Sequence, residues 1–80
     1  YNNVDGAEDD AATALAVNAL AVRSMAAAAS RVGATFVHYS TDFVFDGQAS
    51  APYTEDDRAR PVSVYGSSKL LGEWFAQDAP

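Results

Sequence analysis

From Ala11 to Ala29 the chain is almost wholly apolar, with Thr13, Asn18, Arg23 and Ser24 set into a run of alanines. Leu15, Leu20 and Met25, flanked by Val17 and Val22, fall among residues that favour helix strongly. The pattern predicts a helix whose start is capped by Asp9 or Asp10, with Glu8, Asp9 and Asp10 at the positive end of its dipole. Arg31 stands in the last turn and Gly33 supplies a left-handed stop. The small residues on the rest of its surface suit a close approach to a sheet. The polar interruptions argue against a spanning helix or a signal peptide.

The pattern then changes period. Ala34–Ser40, ATFVHYS, is short, β-branched and aromatic, apolar on both faces apart from His38. Such a run predicts a buried strand of a parallel sheet. Asp46-Gly47 marks a turn, and 48–60 is polar, a loop longer than most connections. A second helix is expected from Ser63 to Gln77, with Leu70, Leu71, Trp74 and Phe75 on its apolar face. Helix, strand, long loop and helix is the rhythm of an open α/β sheet. One strand makes no sheet, and the ends read as cut, so the chain is expected to be a piece of a larger domain.

Composition narrows the partners. The 80 residues carry a net charge of −6 and no basic cluster, which argues against nucleic acid. There is no cysteine, which excludes a disulfide framework and fits a reducing, cytoplasmic setting.

The candidate chemistry sits at the strand end and on the second helix. In open α/β sheets ligands bind beyond the carboxyl ends of strands, where Ser40, Thr41 and Asp42 fall. Tyr65 and Lys69 are four residues apart, hence on one helix face. A free phenol titrates near pH 10, too high for efficient proton transfer at neutrality. A lysine cation about 4 Å away, at an effective dielectric of about 20, contributes on the order of 4 kcal/mol toward the phenolate. Hydroxyl, phenol and ammonium together suit protonation of a carbonyl oxygen as hydride reaches the carbon. On spacing alone, a tyrosine and lysine one turn apart are most often a surface pair. His38 is expected to be packed and hydrogen-bonded, Trp74 and Phe75 to be core, and Glu73 to support the helix or pair with Lys69.

Tyr65-Gly66-Ser67-Ser68-Lys69 resembles the YxxxK motif of the extended short-chain dehydrogenase/reductases. The ordered set STDFVFDG (40–47), PYTE (52–55), Pro61 and YGSSKLLGE (65–73) resembles the dTDP-4-dehydrorhamnose reductase family. Val4-Asp5-Gly6-Ala7-Glu8 and Ala16-Val17-Asn18 fit the same family. The resemblance implies a Rossmann-like, doubly wound parallel sheet, of which residues 1–80 would be a partial NAD(P)-binding domain. The Gly-rich turn that binds the dinucleotide pyrophosphate does not occur in the sequence, and it and a C-terminal substrate-binding part are expected outside these residues. It implies Thr41, Tyr65 and Lys69 as the catalytic triad, with Tyr65 the proton donor to a dTDP-4-keto sugar nucleotide. Tyr1, Tyr65 and Lys69 would contact NADPH or NADH; Thr41, Asp42 and Phe43 would contact substrate. Asn18 matches a helix asparagine that supports the lysine, with a structural role equally open. Phe43 stands where a tyrosine is common, and Asn2 where a threonine is usual. No metal site is expected, no nucleic acid or membrane partner, and a homodimer is the expected full-length state. The piece alone is expected to be inactive. Other readings are a sugar-nucleotide epimerase or dehydratase, which STDFVFDG disfavours, and a non-catalytic regulatory subunit resembling the partner of methionine adenosyltransferase.

Overall fold

A computed structural model describes residues 1–78 as a slab of 42 × 31 × 14 Å, little more than one helix thick. It opens with a single helical turn, α1 (Val4–Ala7), started by the Asn3 side chain, whose Oδ1 accepts from the Gly6 N–H at 3.0 Å. The long helix α2 spans Ala11–Arg31 and contains a π-turn at Ala16–Leu20. The expected aspartate cap is not made. The backbone at Asp10 has φ −142° and ψ 51°, and its side chain accepts nothing from the helix. The other end matches expectation, because Gly33 adopts φ +70°. There the Ala34 N–H donates to Ala29 O (2.8 Å) and the Gly33 N–H to Ser30 O (3.2 Å), the paired bonds of a Schellman stop.

By length and a mean hydropathy of 1.4, α2 could cross a bilayer. Its packing gives it another use. Ala14, Asn18, Ala19, Val22 and Ala26 are buried, and α2 lies along the final helix, α3 (Val64–Asp78). The small residues thus serve helix–helix contact, where closeness to a sheet was expected. The larger side chains point outward: Leu15, Val17, Leu20 and Met25 are all exposed.

Between these helices, among the described residues, no strand forms. Ala34–Ser40 carries no ladder, although its exposure alternates with the period of a strand. Phe36 and His38 are half-buried, while Val37 and Tyr39 are 71% and 84% exposed. A single 3₁₀ turn, Asp42–Val44, follows, started by Thr41 Oγ1 accepting from the Phe43 N–H. Val44 is buried, and its carbonyl receives the Arg60 N–H at 2.7 Å, closing the loop between them. Inside that loop Phe45 and Tyr53 stack at 4.3 Å, and the Tyr53 hydroxyl donates to Asp46 Oδ1 at 3.0 Å.

Helix α3 begins one residue later than expected, with Ser63 Oγ accepting from the Gly66 N–H at 3.0 Å. Its two interior glycines are contact points. A Cβ at Gly66 would overlap the Phe43 carbonyl oxygen, and one at Gly72 would overlap the Asn18 carbonyl oxygen. Trp74, expected in the core, is 58% exposed, and Phe75 is half-buried under the Arg23 guanidinium at 5.5 Å.

Candidate functional site

Two ties fix the backbone that carries Tyr65. Asn18 is buried on α2, and its Nδ2 donates to Ser68 Oγ (3.1 Å) and to Tyr1 O (2.9 Å). The Ser68 hydroxyl, fully buried, donates in turn to Tyr65 O at 2.7 Å. Asn18 Oδ1 also accepts from the Tyr1 nitrogen at 3.2 Å, so the asparagine clamps Tyr1 and α3 to the middle of α2. Its side chain therefore reaches the backbone of Tyr65 through Ser68, and among the described residues it makes no hydrogen bond with Lys69. An amide buried in this way must be satisfied to be tolerated, and here both of its ends are.

The expected triad gathers around the 39–43 turn. The half-buried Tyr65 ring meets Phe43 edge to face, 6.0 Å between centroids at 84°. Phe43 is held to Thr41 by its own N–H on Thr41 Oγ1 at 3.2 Å, and the Thr41 hydroxyl points toward Asp42 Oδ1 at 3.5 Å. Lys69 Nζ donates to Tyr39 O at 2.8 Å, two residues before Thr41 in the chain. Gly66 makes this closeness possible by letting α3 rest on the Phe43 carbonyl. Among the described residues no hydrogen bond joins Thr41, Tyr65 and Lys69 to one another, and the Tyr65 hydroxyl has no partner. Asp42 and Phe43 line an open apolar cleft of about 380 Å³ with Phe45, Tyr53 and Val62.

Glu73 does not pair with Lys69. Its Oε2 accepts from the Ser40 hydroxyl at 2.6 Å, so Lys69 and Glu73 pin successive turns of α3 to the 39–40 segment. His38 departs from expectation as well, because its Nε2 is buried without a hydrogen-bond partner. Burial lowers its pKa from 6.5, the nearby Lys69 charge lowers it further, and Glu73 opposes both. Among the described residues no three His, Cys, Asp or Glu side chains are grouped to hold a metal ion.

Sequence reasoning passed over the side-chain contact of Asn18 with Ser68 and the contact points at Gly66 and Gly72. The glycines carried a signal: each costs about 1 kcal/mol against alanine inside a helix, so two in one helix suggest a close neighbour.

One helix thus brings a phenol and an ammonium to the turn that follows an unpaired, strand-like segment. The chain belongs to the family described as the RmlD substrate binding domain, whose model matches residues 1–79. It is 60% identical over 73 residues to a dTDP-4-dehydrorhamnose reductase of Burkholderia thailandensis, covering 91% of this chain and 24% of the relative. The crystal structure of a dTDP-4-dehydrorhamnose reductase from Clostridium acetobutylicum superposes with a TM-score of 0.97 at 44% identity, over 99% of this chain and 28% of that one. A Bacillus anthracis dTDP-4-dehydrorhamnose reductase in complex with NADP gives 0.95 at 39% identity, again over 99% and 28%. The chain thus spans about a quarter of the length of the relatives it matches.

Proposed function

We infer that this chain is the catalytic middle of an NAD(P)H-dependent reductase of a 4-keto sugar nucleotide, the enzyme that converts dTDP-4-dehydrorhamnose to dTDP-rhamnose in the cytoplasm. The observation that carries this reading is the unpartnered Tyr65 hydroxyl beside the Thr41–Phe43 turn, on a helix whose backbone is tied down at Tyr65 itself. A proton donor needs that combination, a free O–H on a fixed frame.

The residues present suit the nicotinamide end of a dinucleotide. Lys69 uses one of its three N–H donors on Tyr39 O, which leaves two for ribose hydroxyls. The half-buried Tyr1 ring, its backbone clamped by Asn18, is the second surface offered to the coenzyme. The coenzyme supplies the hydride. Tyr65 gives its proton to the keto oxygen, Thr41 holds that oxygen by a hydrogen bond, and Asp42 and Phe43 form the wall against the sugar.

The same reading places Ala34–Ser40 inside a doubly wound parallel sheet completed by other parts of the protein. Its support is an accounting of backbone groups. Beyond Ala34, the only backbone bond of this run among the described residues is that of Lys69 on Tyr39 O, and backbone polar groups inside a protein do not stay unpaired. Flanking strands would pair them and cover Val37 and Tyr39.

The test is Tyr65→Phe in a full-length chain, followed as NADPH oxidation with dTDP-4-dehydrorhamnose. The turnover number should fall by about 10²–10⁴-fold, the share of a lost general acid. Turnover at the parent rate refutes the role.

A further inference from the structure

The turn that joins α1 to α2 reaches the start of the helix that carries Tyr65. Glu8 Oε2 accepts from the Val64 N–H at 2.7 Å, a bond between residues 56 apart in the chain. That N–H is the first of the four that a helix leaves without an internal partner. The cap itself is already present, because Ser63 Oγ takes the Gly66 N–H at 3.0 Å. Glu8 is therefore not needed to start α3. It adds location: among the described residues it is the hydrogen bond that joins the first-turn amides of α3 to a part of the chain outside the loop before it.

Tyr65 lies between the two ties. Glu8 holds the N–H of the residue before it, and Ser68 holds its own carbonyl at 2.7 Å. One anchor comes from the α1–α2 turn, and the other runs through Ser68 to Asn18 in the middle of α2. The Lys69 and Glu73 bonds to the 39–40 segment hold α3 beyond Tyr65, so Glu8 is the tie on the N-terminal side of that residue. The carboxylate also suits the positive end of the α3 dipole, which makes it a better tether there than a neutral group.

We propose that Glu8 is a positioning residue for the reduction: by holding the Val64 N–H it sets the axial position of Tyr65 against Thr41. The proposal rests on the reading of Tyr65 as proton donor. A displacement of about 1 Å at a reacting group can cost on the order of 10²-fold in rate, so a tether that touches no substrate can still show in turnover.

The test uses the full-length enzyme, with kcat and KM measured for NADPH and dTDP-4-dehydrorhamnose in Glu8→Ala, Glu8→Gln and Glu8→Asp. Glu8→Ala should lower kcat about tenfold or more with both KM values within about twofold of the parent. Glu8→Gln keeps an acceptor at the same reach and should restore kcat to within about threefold of the parent. Glu8→Asp keeps the charge but is one methylene short, and should fall with alanine. The glutamine and aspartate variants decide the matter even where alanine impairs folding. Parent-like kcat in Glu8→Ala or Glu8→Asp, a loss confined to KM, or a glutamine variant as slow as the aspartate one would each overturn the proposal. Tyr65→Phe is run alongside. Turnover surviving in it sinks the proton-donor reading, whereas its loss with an unaffected Glu8 series sinks the tether alone.

Discussion

Gly72→Ala is the sharpest probe of how α2 and α3 meet. The added methyl would overlap the carbonyl oxygen of Asn18 and stand 3.4 Å from His38 Nε2. The oxygen belongs to the backbone of a packed helix, so no rotamer change can clear it. Either the helices separate or α2 bends locally. Overpacking of this kind costs about 1–3 kcal/mol. Separation would also stretch the buried bond from Asn18 Nδ2 to Ser68 Oγ, now 3.1 Å, and an unsatisfied buried partner costs about 1–3 kcal/mol more. Against this stands a gain of about 1 kcal/mol from replacing glycine inside a helix. The net expectation is a destabilisation of roughly 1–5 kcal/mol. Urea unfolding of the full-length protein, with Gln77→Ala on the exposed end of α3 as the control, measures it. An alanine variant as stable as the parent, or more so, would show that the two helices do not approach at Gly72.

Three further outcomes are expected. Asn18→Leu fills the volume but leaves Ser68 Oγ and Tyr1 O without their donor, and should destabilise by about 1–3 kcal/mol in the same unfolding assay; an unchanged midpoint would count against the clamp. His38 should titrate below 6.5 by NMR, because burial and Lys69 both oppose its protonation. The unfolded chain then binds the extra proton first, so this contribution to stability is complete above 6.5 and fades as pH falls through the lower folded value. A midpoint at or above 6.5 would contradict the environment described. Asp46 is held below its ordinary 3.8 first by the Gln48 N–H and then by the Tyr53 hydroxyl. The fold of its loop should hold above 3.8 and loosen only as pH drops through the lower value, read from the Tyr53 ring resonances. Asp46→Asn should remove that acid transition, and its persistence would assign it elsewhere.

Both long helices were legible because helix signals are local. The alanine-rich run, the glycine stop and the Ser63 start each declare themselves within a few residues. The aspartate cap failed for a reason the pattern does not carry, since capping depends on the backbone angles at Asp10. The outward-facing Leu15, Leu20 and Met25 mark a second limit of the pattern. Hydrophobicity marks what is to be covered, but not by which neighbour, and here α2 buries mainly alanines and Gly72 meets its Asn18 carbonyl while the large side chains lie outside. The strand was visible as an alternation yet forms no ladder among the described residues, because a ladder needs partners that 34–40 do not find in residues 1–78. Thr41, Tyr65 and Lys69 were singled out as candidates by the strand end and the four-residue spacing, and then by motif resemblance. The contacts that support them, Asn18 to Ser68 and Glu8 to Val64, join residues 50 and 56 apart and leave no trace in any short window.

The π-turn in α2 has a consequence for register. Ala14, Asn18, Val22 and Ala26 recur every four residues, all on the buried side. In a regular helix four residues turn through about 400°, so such a series would drift by about 40° at each step and by about 120° over three. The single wide turn at Ala16–Leu20 holds one residue too many and winds back about 100° of that drift. A strict four-residue spacing thereby becomes a straight seam. Deleting one residue between Ala16 and Leu20 would leave an ordinary helix with Val22 and Ala26 still on α3, whereas winding all the present residues into a regular helix would swing those two side chains about 100° away. The seam would then survive only in its first half.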